Sequence, residues 1–157
     1  MTTNFKLISL TDNEFTAIFE LDNVQLQQIG TIRMTVNQFP GFPCRVSLHD
    51  AEIGEEVILL SYEHHQTSSP YRGSGPIYVR KIAKTATLET NEIPEMFTHR
   101  LLSLRGFDKN GMMKDASVVE GQKLREQIIR TFANEDIEYI HIHNAKPGCF
   151  NCKVERV

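Results

Sequence analysis

Residues 56–64, EVILLSYEH, put apolar side chains on both faces of an extended segment, Val57 and Leu59 on one and Ile58 and Leu60 on the other. A strand of that pattern needs cover above and below, so it predicts the centre of a sheet. The runs around it supply neighbours. FKLISL (5–10), TIRMTV (31–36), CRVSLH (44–49), IYVRKI (77–82), RLLSLRGF (100–107) and MKDASVV (113–119) all read as strands, and YIHIHNAKPGCFNC (139–152) as a closing hairpin. In TIRMTV the alternation turns Ile32, Met34 and Val36 inward.

Helical signals are few and short. Thr11 with Glu14 forms a capping box ahead of Phe15, Ile18 and Phe19, and Asp22 to Ile29 reads as a second helix stopped by Gly30. KLREQIIRTF (123–132) is amphipathic, with Leu124, Ile128 and Phe132 four apart. Strands follow one another without helical crossovers, so the predicted fold class is α+β: a largely antiparallel β-sheet with a few short helices, in a single domain over 1–157.

At 157 residues, 40% apolar and 24% charged, the chain is a globular one. A formal charge of -3 argues against a nucleic-acid partner, which calls for a basic stripe. No run approaches the ~20 apolar residues of a membrane helix, and the first residues lack the pattern of a signal peptide. An odd three cysteines then point to free thiols in the cytoplasm.

The closing hairpin concentrates the candidate chemistry. Ile140 and Ile142 share one strand face, with Tyr139, His141 and His143 on the other. Lys146-Pro147-Gly148 offers the Pro-Gly pair of a type II turn. Matching apolar faces sets His143 opposite Cys149, His141 opposite Asn151, Ile142 opposite Phe150 and Ile140 opposite Cys152. Phe150, Cys152 and Val154 then share the inner face, which makes Cys152 a core thiol and separates it from Cys149. His141, His143 and Cys149 are left on one polar face. A Cys–His contact there would let an imidazole draw off the thiol proton. The same three side chains would suit a mononuclear metal site completed by His64 or water, and a merely solvated face fits equally.

The second candidate stretch is SSPYRGSGPIYVR (68–80). Its glycines and serines suit an anion-binding loop, with Ser69 and Tyr71 as ligand contacts, though no P-loop ending is present. Arg45, Arg80, Arg100 and Arg105 fall within predicted strands, where each needs a partner: Asp50, Glu52, Glu55 and Glu63 on one reading, a carboxylate or phosphate ligand on the other.

Taken together, PGFPCRVSLHDAEIGEEVILLSYEH, SPY followed by IYVR, RLLSLRGFD with GMMKDA, and YIHIHNAKPGCF resemble the domain of unknown function 1203 family, most closely from about residue 40 onward. The positions that carry the resemblance include Cys44, Arg45, Asp50, Tyr62, Ser69, Tyr71, Arg80, His141, His143, Asn144 and Cys149. The resemblance implies a bacterial, single-domain, cytoplasmic protein and brings no catalytic residue with it. The chain departs from the pattern at His49, Cys152 and Gly75-Pro76, which counts against His49 and Cys152 as ligands.

Two classes of function follow. In the first, a small anionic or polar ligand is held by Arg45, Ser69, Tyr71, Arg80 and Asn144, with Cys149 as nucleophile, His143 as its base and His141 orienting. In the second, the same residues form a binding or interaction module without chemistry, or the three hairpin side chains hold a metal. The sequence itself assigns no cofactor, metal or oligomeric state.

Overall fold

The computed structural model describes residues 3–157. These form two antiparallel sheets with short helices, an α+β fold. In chain order the elements are β1 (Phe5–Ile8), α1 (Thr16–Phe19), α2 (Asn23–Gln28), β2 (Ile32–Thr35), β3 (Glu56–His65) and β4 (Gly73–Arg80). There follow α3 (Glu95–Thr98), β5 (Leu101–Phe107), β6 (Met113–Glu120), α4 (Leu124–Phe132), β7 (Tyr139–Asn144) and β8 (Phe150–Arg156). The larger sheet has the order β1-β8-β7-β5-β6, and the smaller β2-β3-β4.

One face of the larger sheet is apolar and covered by α4. Leu124, Ile128 and Phe132 pack there with Phe97, Leu102, Leu104, Ile140, Ile142, Cys152 and Val154. Each such side chain, fully buried, contributes on the order of 2 kcal/mol. The smaller sheet is covered twice, as its central strand requires. Ile58 and Leu60 of β3 join Phe15, Cys44, Val46, Ile77 and Val79 on one side, while Val57 packs with Val36, Phe42 and Ala51 on the other. Thr11 with Glu14 caps a single 3-10 turn, Asp12–Glu14, that leads into α1, and α2 begins at Asp22, whose carboxylate accepts from Gln25 N–H at 2.8 Å.

Three sequence expectations need correction. CRVSLH is a tight loop, not a strand: Cys44 N–H donates to His49 O at 3.0 Å, Leu48 N–H donates back to Cys44 O at 3.0 Å, and Leu48 takes φ 55°. Local closure overrides the alternation, and Arg45 is buried beside Cys44 and Val46. Ile32 points outward, 57% exposed, because it lies on an edge strand with no layer over it. Gly73, Ser74 and Gly75 are not a loop but the start of β4, paired to β3 across an irregular register between Tyr62 and His65.

The hairpin register also differs. The connection is a four-residue loop, 145–148, closed by Asn144 N–H on Cys149 O at 2.8 Å and Gly148 N–H on Asn144 O at 2.9 Å. Beyond it His143 pairs with Phe150, but Ile142 pairs with Cys152, so Asn151 is an extra residue on β8. This bulge turns Phe150 away from the apolar core and onto the histidine face, where it stacks on His64 with ring centroids 5.2 Å apart. Cys152 keeps its expected inward position and is fully buried.

Candidate functional site

The loop 43–50, the end of β7 and the start of β8 meet at Arg45. Its backbone is pinned on both sides, N–H to Tyr78 O at 3.1 Å and C=O to Leu10 N–H at 3.0 Å. The side chain is 1% exposed and donates to three fixed acceptors. Nε donates to Phe150 O at 2.7 Å, Nη1 to Pro43 O at 2.6 Å, and Nη2 to Cys149 Sγ at 3.0 Å. Among the described residues no carboxylate forms an ion pair with it. A buried cation without an anion is costly, so the positive field at this spot is a strong local feature. Burial pulls the guanidinium below its ordinary value, and the Cys149 sulfur opposes that shift.

Cys149 is partly exposed and receives a second N–H, from Asn144 Nδ2 at 3.5 Å. Asn144 is itself oriented, its Oδ1 accepting from Asn151 Nδ2 at 2.8 Å. The bulge residue therefore sits behind the amide that faces the thiol. Cys44 and Cys152 are buried, and burial pushes the Cys152 thiol well above its ordinary range.

Arg45, Asn144 and Cys149 line a cavity of about 540 Å³ between the two sheets. Its apolar wall includes Leu59, Pro76, Tyr78, Leu101 and Pro147, and its polar wall adds His99, Arg100 and Lys146. Among the described residues no Asp or Glu lines it. Arg100 is held by a fork-to-fork pair with Asp50, Nη1 to Oδ2 at 3.0 Å and Nη2 to Oδ1 at 2.5 Å. The volume falls within the range of small-molecule sites.

His141 and His143 are not on a solvated face. They are 4% and 1% exposed, packed against His64 and His65 of β3 together with Phe107, Tyr139 and Phe150. His65 is tied at both ring nitrogens, to Tyr71 O at 2.8 Å and to Tyr139 Oη at 2.6 Å. His143 uses Nδ1 on Gly148 O at 2.9 Å, so it steadies the turn next to Cys149. No hydrogen bond joins His143 to the sulfur. Desolvation drives His141 down to about 2, and neighbouring histidines add to the shift. The same desolvation takes His143 down to about 3, with the Gly148 contact opposing. Both rings are therefore neutral at neutral pH.

The expected convergence of His141, His143 and Cys149 on one metal is not what the geometry gives. The two imidazole centroids lie 6.3 Å apart, the thiol is engaged by Arg45, and among the described residues no three His, Cys, Asp or Glu side chains are placed to hold an ion. The other expected contacts are dispersed. Ser69 Oγ donates to Gly111 O at 2.7 Å and accepts from Tyr71 N–H, fastening that segment to the β5–β6 turn. Arg80 pairs with Glu55 at 2.8 Å and does not line the Cys149 cavity. Of the expected ligand contacts, Arg45 and Asn144 are the two that accompany Cys149. Nothing local in the sequence marks His99 or Lys146 as site residues; the packing of the two sheets brings them to the cavity.

Among the described residues no helix is long and apolar enough to cross a membrane. No curated protein and no solved structure matches the chain. Residues 41–156 match the family model described as Protein of unknown function (DUF1203), a span that includes Arg45, Asp50, His99, Arg100, Asn144 and Cys149. The chain belongs to that family.

Proposed function

We propose that the protein binds a small anion with an apolar body in the cavity between its sheets, and that Cys149 faces the bound molecule as a reactive thiol. The observation that carries this reading is the buried Arg45 guanidinium, 3.0 Å from Cys149 Sγ and without a carboxylate, on the wall of a cavity that no Asp or Glu lines. A ligand carboxylate or phosphate would supply the missing negative charge. Leu59, Pro76, Tyr78 and Leu101 would cover its apolar part. Three free thiols fit a reducing, cytoplasmic setting.

A catalytic version has one observation of its own: two N–H donors point at the sulfur, which suits a thiolate acting as nucleophile. In that version His143 holds the turn through Gly148 O instead of taking the thiol proton directly.

Both versions are tested by ligand protection. A panel of inorganic phosphate, sulfate and aliphatic and aromatic carboxylates is expected to contain a compound that raises the melting temperature by mass action and slows alkylation of Cys149. If no anion does either, the binding reading is wrong. Turnover of a thiol-reactive ester that vanishes in Cys149→Ser would favour the catalytic version over simple binding.

A further inference from the structure

The wall between the Cys149 cavity and a second cavity of about 820 Å³ is formed by His99 and the Asp50–Arg100 pair behind it. Asp50 has a side chain only 3% exposed, and it faces Arg100 in a two-point contact and His99 Nε2, 3.3 Å from Oδ2. The tautomer of His99 follows from counting protons. Arg100 Nη1 carries two hydrogens and has three neighbours, Met96 O at 2.6 Å, Asp50 Oδ2 at 3.0 Å and His99 Nε2 at 3.1 Å. The carbonyl and the carboxylate, nearer and stronger acceptors, take both. Nε2 is then left to donate its own hydrogen to Asp50. That places the lone pair of the neutral ring on Nδ1, which has no partner among the described residues, on a side chain 41% exposed that lines both cavities.

A carboxylate fixed on one imidazole nitrogen orients the ring and leaves the other nitrogen to exchange a proton with what is bound. Resting on the anion-binding reading above, we infer that His99 is the proton-carrying residue of the Cys149 cavity: held through Nε2 by Asp50, it offers Nδ1–H to the anion when protonated and makes anion capture stronger at low pH. Arg45 and Lys146 share this cavity and add their own attraction for an anion, which His99 modulates. Around the second cavity stand Glu95 just before it in α3, Arg80 from β4, and His49, Asp50 and Glu52 from the loop after Arg45. His49 is the other imidazole there and does not line the Cys149 cavity.

The test compares two alkylating probes of similar size on the full chain, iodoacetate and iodoacetamide, read at Cys149 by peptide mass from pH 6 to pH 8 (assay range about two units around the histidine region). Both reagents consume the same thiolate, so their rate ratio cancels thiol ionisation and reports attraction of the carboxylate. Divided by the same ratio for glutathione, it is expected to exceed one and to fall roughly threefold over this range, the effect of one unit charge at about 6 Å through water. His99→Gln flattens the profile at its low end. His99→Lys holds it at the high end, and His49→Gln leaves it as in the wild type. A ratio no greater than that of glutathione at any pH sinks the anion-binding reading itself. A raised ratio that is flat with pH in the wild type, or one whose pH dependence survives His99→Gln or disappears in His49→Gln, overturns the role of His99 and leaves anion binding standing.

Discussion

Arg45 Nη2 lies 3.0 Å from Cys149 Sγ, although 104 positions separate the two residues in the chain. The contact joins the loop before β3 to the closing hairpin, and the same guanidinium also holds Phe150 O of β8. Structure and reactivity are thus coupled in one side chain. Arg45→Met leaves two buried carbonyls short of a donor and is expected to cost about 2–4 kcal/mol in urea unfolding. It should also slow Cys149 alkylation at neutral pH. Arg45→Lys keeps the charge but not the fork, so it should recover much of the rate while recovering little of the stability. Equal alkylation rates in the wild type and in Arg45→Met would show that the guanidinium does not act on the sulfur.

How much of this was legible in the chain depends on the range of the interaction. The two-faced apolarity of 57–60 is local, and it correctly placed β3 at the centre of a sheet. The capping pair Thr11 with Glu14 and the start of α2 at Asp22 are local too. Ile140, Ile142, Cys152 and Val154 were recognisable as one apolar face. Asn151 was not recognisable as an extra residue, because a bulge leaves the flanking alternation intact to the eye while shifting the pairing by one. The burial of His141 and His143 depended on the smaller sheet docking against the opposite face of β7, and no strand pattern encodes which sheet meets which. The partner of Arg45 was a sulfur in another element, where a search for carboxylates could not find it.

The histidine face predicts acid sensitivity. His141 and His143 bind protons less readily folded, at about 2 and about 3, than unfolded, near the ordinary 6.5. The unfolded state therefore takes up more protons as pH falls below about 6.5, and stability declines with acidification through the window down to about 3. Each ring contributes a loss of about 1.4 kcal/mol per pH unit within it. Urea unfolding at a series of pH values should show this slope, reduced by about one proton in His141→Phe. A stability that is level between pH 6 and pH 4 (a span of about two units) would contradict the buried, neutral assignment.

Gly121 predicts how tightly the cavity wall is mounted. It donates its N–H to Arg100 O at 2.8 Å, and a Cβ there would stand 1.7 Å from Phe97 O and 3.0 Å from Arg100 O. Both neighbours are backbone, so relief requires moving α3 and the residues after it. Gly121→Ala is expected to cost about 3 kcal/mol. Because His99 and Arg100 ride on that segment, it should also lower the iodoacetate preference at Cys149. Full retention of stability in Gly121→Ala would mean that α3 shifts freely and does not fix the wall.

Asn151 offers the sharpest separation of support from chemistry. It is fully buried, its Nδ2 orients Asn144, and its own Oδ1 has no hydrogen-bond partner among the described residues. Asn151→Ala removes one unsatisfied acceptor along with one good hydrogen bond, so the net stability loss should be modest, about 1–2 kcal/mol. Asn144 is then free to turn its amide away from Cys149, and the alkylation rate should change about twofold although the thiol itself is untouched. Asn151→Asp keeps the shape but replaces a donor to Asn144 with a buried negative charge, which should cost more than the alanine variant. If Asn151→Ala leaves the alkylation rate of Cys149 unaltered, the amide of Asn144 has no hold on the sulfur and Arg45 alone governs it.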